Sequence, residues 1–354
     1  MMARMVTTPE EACFLEIGIP TFNRSQKLSR LLSVLHRELS EVTSDVRVRV
    51  TVSDNHSEDE TAAMLARHPF RKDLVVRRNT VNVGALNNIW GLLETTSAEY
   101  LWLVGDDDLP QPGSVSRIIE SLVRYEPTIL TFEFEQPPGT RVRRHGSGTG
   151  VEELVRLSDA IPQILTLGKL TKQVVRASNL PETLRSVRHV KETGYGWLFV
   201  MLEVMRRAAA PKVVVDHAFL AACDEEYATL TEGLTPRFWD DYLLLLDHEL
   251  VTTHCPEHAD AYRYAHPIYM VKMLYGVMAG TTKTNDLEPF RAAARKLRFH
   301  GRYFRNPFIF VEWVSLRLGL PASPVIPRIA SGLTSIKQSV KQAIGPSTGG
   351  GIPG

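Results

Sequence analysis

The chain has 354 residues, 44% of them hydrophobic, with 41 Lys or Arg against 40 Asp or Glu, so it can bury a sizeable core in two domains or one elaborated domain. Its three cysteines, Cys13, Cys223 and Cys255, are too few and too scattered for a disulfide framework, and a reducing compartment is the default. No window approaches about 18 uninterrupted apolar residues, and the N-terminus lacks a charged-then-apolar signal pattern, so the expectation is a cytoplasmic, non-spanning protein.

In chain order, Phe14 to Pro20 reads as a strand, followed by the turn Thr21-Phe22-Asn23-Arg24. Leu28, Leu31, Leu32 and Leu35 then recur at helical spacing, with Asn23 or Ser25 as the N-cap. Val46 to Val52 alternates as a second strand and ends in Ser53-Asp54-Asn55. Ser57 with Glu60 forms a capping-box pattern ahead of a further helix. Leu74 to Val76 is a short strand, residues 77–84 a polar loop, and Leu86, Ile89, Trp90 and Leu93 another helical stripe.

Next comes Tyr100-Leu101-Trp102-Leu103-Val104-Gly105-Asp106-Asp107-Asp108, an apolar run ending in three carboxylates. It reads as a buried strand. If the strand runs on, Asp106 and Asp108 point the same way about 6.5 Å apart, a spacing at which two carboxylates share one cation. The alternative is a solvated acidic turn capping the next helix. A helix over residues 114–124 and a strand over 129–134 follow, then a basic, Gly-rich loop up to Gly150. Residues 151–167 read as helix, 169–175 as strand, 197–207 as an apolar helix, 212–216 as strand, and 238–251 and 262–278 as helices.

Alternating strands and helices call for an α/β fold with a mostly parallel sheet. Ligands bind such a sheet beyond the carboxyl ends of its strands, here Thr21 to Arg24, Asp54-Asn55, residues 79–84 and the acid triplet.

The segments Ile19-Pro20-Thr21-Phe22-Asn23-Arg24, Ser53-Asp54-Asn55-x-Ser57, Arg78-Asn79-x-x-Asn82-x-Gly84 and Gly105-Asp106-Asp107-Asp108 together resemble family 2 glycosyltransferases of the GT-A fold, in particular the abequosyltransferase-like bacterial group. The resemblance covers roughly residues 14–135. It implies a nucleotide-sugar donor framed by Pro20, Thr21, Phe22 and Arg24, with Asp54 and Asn55 near the base. It implies that Asn82 and Gly84 let the backbone approach the donor. Asp106 falls near the ribose or the metal, Asp107 among the donor-binding residues, and Asp108 as the direct ligand of a Mg²⁺ or Mn²⁺ ion that offsets charge on the leaving nucleoside diphosphate. Turn chemistry alone is the other reading of Asn79 and Asn82.

An inverting transferase needs a general base for the acceptor hydroxyl. The helix that would open with an acid pair in many family members begins here at Thr193-Gly194-Tyr195-Gly196, without one. Glu192 and His189 are the candidates, with Asp216, Asp224 and Glu225 further off.

From Asp286 onward ten Lys or Arg face three acids, a net +7 within a formal net charge of +1, leaving −6 to the rest. The interleaved aromatics, Phe299, Tyr303, Phe304, Phe308 and Trp313 among them, suit an amphipathic segment on an anionic membrane at the inner face of the cell, or a basic hairpin packed on the catalytic domain. Nucleic acid is not expected, since no recognised module accompanies the basic residues. The expected organisation is a nucleotide-sugar-binding half over 1–135, an acceptor-side half over 136–284, a helical basic tail over 285–344 and a disordered end over 345–354. The expected function is transfer of a sugar to a saccharide or polyprenyl-linked acceptor in cell-envelope polysaccharide synthesis, by a chain that could act as a homodimer. A nucleotidyltransferase of related topology and a catalytically silent membrane- or partner-binding protein are the rival readings.

Overall fold

The computed structural model describes residues 13–135, 150–165, 169–223, 236–257 and 259. Nearly all of these belong to one compact unit, Met1–Thr229 with Asp240–Asp260. Residues 236–239 fall with the other unit, Leu230–Trp239 with Ala261–Gly354. The expectations for residues 136–149, for a helix over 262–278 and for the basic tail lie outside the described residues.

The chain alternates at first: β1 (Leu15–Thr21), α1 (Ser25–Ser40), β2 (Val48–Asp54), α2 (Thr61–Arg67), β3 (Leu74–Arg78), α3 (Ala85–Thr95) and β4 (Tyr100–Leu103). Then come β5 (Asp108–Pro110), α4 (Ser114–Tyr125), β6 (Ile129–Glu135), β7 (Val151–Leu154), α5 (Leu157–Leu165) and β8 (Gln173–Arg176). The remaining elements are α6 (Leu180–Ser186), α7 (Gly196–Arg207), β9 (Val213–Cys223), α8 (Pro236–Leu246) and α9 (Glu249–His254). The described strands form one nine-stranded sheet in the order β3-β2-β1-β4-β8-β6-β9-β5, with β7 on β9.

β3, β2, β1 and β4 run parallel. The registers pair Thr21 with Asp54, Asp54 with Arg78, and Gly18 with Leu103. All four strands therefore deliver their following loops to one edge of the sheet. Leu15, Ile17 and Ile19 of β1 and the Leu28, Leu31, Leu32 and Leu35 stripe of α1 are completely buried, as a strand covered on both faces and an amphipathic helix require. β1 also buries Glu16, whose carboxylate accepts hydrogen bonds from Arg49 Nη2 (2.6 Å), Thr51 Oγ1 (2.6 Å) and Thr96 Oγ1 (2.8 Å). Those partners offset the cost of burying its charge.

Several local expectations are corrected. Neither Asn23 nor Ser25 caps α1 with its side chain; Asp59 Oδ2 accepts the Ser25 N–H at 3.0 Å instead. Ser57 and Glu60 form no capping box, because Asp59 caps α2 through Thr61 N at 3.0 Å and the Ser57 hydroxyl accepts the Asn23 N–H at 2.9 Å. The helix expected over 151–167 starts with β7, which pairs with β9, and turns helical only at Leu157. The strand expected over 169–175 begins with a short 3-10 turn at Leu170–Lys172 before the antiparallel β8. The helix expected over 238–251 is broken between α8 and α9.

Candidate active site

β4 ends at Leu103, and the chain does not run on extended through the acids. Asp108 N donates to Gly105 O at 3.0 Å, closing a tight turn, and Asp108 opens β5, which pairs with β9. This turn sends Asp106 and Asp108 to different partners rather than onto one face of a strand. Asp106 Oδ2 accepts from Thr21 Oγ1 at 2.7 Å, and Asp106 Oδ1 accepts from Arg24 Nη1 at 2.8 Å. The same Arg24 nitrogen is 3.1 Å from Asp107 Oδ2. Asp108 Oδ2 accepts from the Thr171 hydroxyl, and Lys169 Nζ stands 3.8 Å from Asp108 Oδ1.

Burial dominates the electrostatics of these acids. It raises the Asp106 carboxyl pKa above the usual carboxylate range despite Arg24 and Thr21. It pushes Asp108 up to about 6, with Lys169 opposing. The acids are thus held at the sheet edge with their charge only partly compensated.

Around the acids lies a hollow of about 470 Å³. Of the residues singled out from sequence, Pro20, Thr21, Phe22, Arg24, Asn55, Asn82, Gly84, Asp106 and Asp107 line it. Gly84 caps α3 at φ 84°, a conformation that favours glycine, and the N-terminus of that helix opens on the hollow through Ala85 and Asn88. Asp54 does not line it: Ser57 N donates to its Oδ1 at 2.9 Å and Arg78 Nη1 is 3.2 Å from its Oδ2, so this acid is buried as the anchor of two loops.

Side-chain amides tie the loops together. Asn55 Nδ2 donates to Asn82 Oδ1 at 2.7 Å, Asn79 Nδ2 to Asn55 Oδ1 at 3.0 Å, and Val83 N to Asn55 Oδ1 at 3.0 Å. Asn88, buried in α3, accepts from Ser53 Oγ at 2.7 Å and Asn79 Nδ2 at 3.1 Å and donates to Ser53 O at 2.9 Å. Asn82 therefore serves both turn and wall, whereas Asn79 braces the loops without lining the hollow.

The two base candidates do not join this hollow. His189 opens on a second one, of about 510 Å³, with Glu203, Arg206 and His248. Glu192 is exposed in the turn ahead of α7 and lines neither. Asp216 is committed elsewhere, accepting from Arg117 Nε at 2.6 Å and Nη2 at 2.8 Å. Asp224 and Glu225 lie outside the described residues. Sequence reasoning missed Asn88, Leu170, Thr171, Lys169 and Asp241, the last accepting the Gly194 N–H at 2.7 Å in the same turn as Glu192. The Asp240-Asp241 pair was a signal for the last; nothing local marks the others.

The acids suit a hard divalent cation, which takes oxygen ligands. Asp108 Oδ1 is buried and accepts no hydrogen bond among the described residues. Asp107 Oδ1 and Asp108 Oδ2 also converge on Gly105, where a side-chain carbon would stand 3.1 and 3.0 Å from them. Asp108 Oδ1 is faced by Lys169 Nζ at 3.8 Å, both oxygens of Asp106 are already bonded, and among the described residues no group of three or more acid, His or Cys side chains is assembled around one point; the carboxylates that meet at Gly105 supply the oxygen chemistry such an ion takes.

The sequence model for Glycosyl transferase family 2 matches residues 16–168. These residues form a family 2 glycosyltransferase domain. Abequosyltransferase RfbV of Salmonella typhimurium (strain LT2) is 30% identical to the chain over 92 residues, which are 25% of this chain and 27% of that relative. The match thus spans about a quarter of RfbV. The 1–349 portion of S. aureus TarS in complex with UDP-GlcNAc superposes with a TM-score of 0.55 at 16% identity, covering 88% of this chain and 93% of TarS 1–349. Its complex with UDP gives 0.51 at 15% identity over the same shares. The likeness establishes the GT-A fold expected from the sequence, and the glycosyltransferase domain holds all four strand-end loops of the hollow.

Proposed function

We propose that this protein transfers a sugar from a nucleoside diphosphate donor to a saccharide or lipid-linked saccharide acceptor, in the synthesis of a cell-envelope polysaccharide. One observation carries this reading: four loops from parallel strands meet around a single hollow that brings together Arg24, the α3 N-terminus and the acid turn. RfbV is named for abequose transfer and TarS was crystallised with UDP-GlcNAc, which supports a nucleotide-sugar donor.

The residues have chemistry for each part of the donor. Arg24 offers a planar fork of donors matched to phosphate, and the backbone near Gly84 and Ala85 adds N–H groups at a helix N-terminus. Phe22, exposed at the rim, gives an aromatic face for the base. Asp54 and Asn55 hold the base-side loops in register. Asp108, with Asp106 and Asp107, would hold a Mg²⁺ or Mn²⁺ ion, which when bound stabilises charge on the leaving diphosphate as a Lewis acid. Transfer with inversion also requires a general base for the acceptor hydroxyl, and neither Glu192 nor His189 lines the donor hollow. The expected location is the cytoplasm, with the basic tail against the inner face of the membrane, where a polyprenyl-linked acceptor is found. Among the described residues no helix is long and apolar enough to cross a membrane.

Calorimetric titration with UDP, GDP, CDP and dTDP, in Mn²⁺ and in EDTA, tests this. Binding of at least one diphosphate, tightened by Mn²⁺ and weakened by Asp108→Ala, is expected. If none binds, the donor assignment falls; if Asp108→Ala binds as tightly as wild type in Mn²⁺, the metal assignment falls.

A further inference from the structure

The turn that carries the acids is held from outside by a segment more than sixty residues further on, the 3-10 turn Leu170–Lys172 that leads into β8. Thr171 makes two bonds to it and one to β4. Its main-chain oxygen accepts from Trp102 Nε1 at 2.7 Å, its hydroxyl oxygen accepts the Gly105 N–H at 2.9 Å, and the same hydroxyl donates to Asp108 Oδ2. A threonine hydroxyl has one proton and two lone pairs, so it can accept from the turn and donate to the acid at once. Thr171 is itself completely buried, so water does not compete for either bond.

We propose that Thr171 is the positioning residue of the metal-binding acid turn. The role rests on the donor-site reading given above. By fixing Oδ2 of Asp108, the hydroxyl leaves Oδ1, which accepts no hydrogen bond among the described residues and is faced by Lys169 Nζ at 3.8 Å, as the oxygen on which a cation would compete with that ammonium. By accepting from Gly105 N, it also sets the turn on which Asp107 and Asp108 converge. The Trp102 bond is separate, because it uses the Thr171 backbone and survives any side-chain change. A hydroxyl that orients a metal-binding carboxylate acts like other outer-shell partners, whose loss weakens metal binding by about 10–100-fold.

The discriminating substitutions are Thr171→Val, which keeps the shape and removes both hydroxyl bonds, and Thr171→Ser, which restores them. Mn²⁺ affinity is measured on the full chain by electron paramagnetic resonance, alone and with whichever of UDP and GDP wild type binds; nucleotide affinity in EDTA and the unfolding temperature are recorded alongside. Thr171→Val is expected to weaken Mn²⁺ binding by at least about tenfold. Thr171→Ser is expected to stay within about threefold of wild type, and nucleotide affinity in EDTA to be unchanged in both, which a general loss of structure would not produce. Thr171→Ala replaces the valine variant if that one does not fold. The proposal is overturned if the hydroxyl-free variant binds Mn²⁺ like wild type, if serine fails to restore binding, or if affinity in EDTA falls as much as affinity in Mn²⁺. Wild type that binds nucleotide but not Mn²⁺ overturns the role of Thr171 alone; wild type that binds neither nucleotide overturns the donor site and this role together.

Discussion

Arg24 Nη1 lies 2.8 Å from Asp106 Oδ1, joining the residue ahead of α1 to the acid beyond β4 across 82 positions of chain. The other Asp106 oxygen is held by Thr21 at 2.7 Å, so both oxygens of this buried carboxylate are bonded by the loop after β1. The first and fourth parallel strands are thereby tied at the edge where the donor hollow opens.

Replacing Arg24 by Gln leaves Asp106 buried without its cation. Breaking a fully buried pair costs about 3–5 kcal/mol, but the Arg24 side chain is 44% exposed, so a loss of about 1–2 kcal/mol is expected. Urea unfolding measures it, and nucleoside diphosphate titration of the same variant is expected to show about tenfold weaker binding, since a bidentate cation near phosphate is lost. Unchanged stability and affinity would mean the bridge is incidental.

Asp108→Asn is expected to stabilise the metal-free protein at pH 7.5 by about 1–2 kcal/mol, read as a higher melting temperature in EDTA. Burial pushes the Asp108 carboxyl from 3.8 up to about 6 in the folded chain, so at pH 7.5 its charge is carried at a cost. Between those two values the native state holds a proton that the unfolded state releases. Wild type in EDTA therefore gains stability as pH falls through 6 toward 4, and the Asn variant lacks that gain. An Asn variant less stable than wild type at pH 7.5 would contradict the argument.

Asn88→Ala removes the buried amide that bonds Ser53 and Asn79 from α3. Leaving such partners unsatisfied costs about 1–3 kcal/mol, which thermal unfolding would register as a drop of several degrees. Hydrogen exchange is expected to rise in residues 79–84, the loop that the amide anchors. Protection equal to wild type there would assign Asn88 a packing role alone.

Glu203→Gln tests the second hollow. Burial alone would raise the Glu203 pKa, but hydrogen bonds from Arg206, Ser186 and Arg207 outweigh it and hold the carboxyl down to about 2. A depressed carboxyl contributes stability above its unfolded value of 4.5, and that contribution is lost as pH falls toward 2. The variant is expected to be about 1–2 kcal/mol less stable at pH 7, after discounting for the partly exposed arginines, with the difference from wild type shrinking below pH 4. A pH-independent difference would remove the ionic explanation.

Periodicity located the helices that bury one face, such as α1 with its four leucines and α3 with Trp90 and Leu93, because burial repeats every turn. It located β1 and β4 as short apolar runs bounded by polar turns, and β2 by its alternation of apolar with Arg and Thr residues. It failed for residues 151–154, where a short segment of mixed character became a strand only because β9 offers it an edge. It failed also at the caps, since Asp59 reaches Ser25 from another loop and no local pattern carries that contact.

Sequence alone thus determined that the first four strands run parallel and that their following loops gather at one edge, because both follow from the alternation of strand and helix patterns along the chain. Tertiary structure decided what the three acids do. The turn at Gly105 divides them, sending Asp106 to Thr21 and Arg24 and Asp108 to Thr171 and Lys169. Thr171 lies 63 positions from Asp108, and the free energy of a buried carboxylate depends on which donors the folded chain brings within about 3 Å of it, a matter that spacing along the chain does not encode.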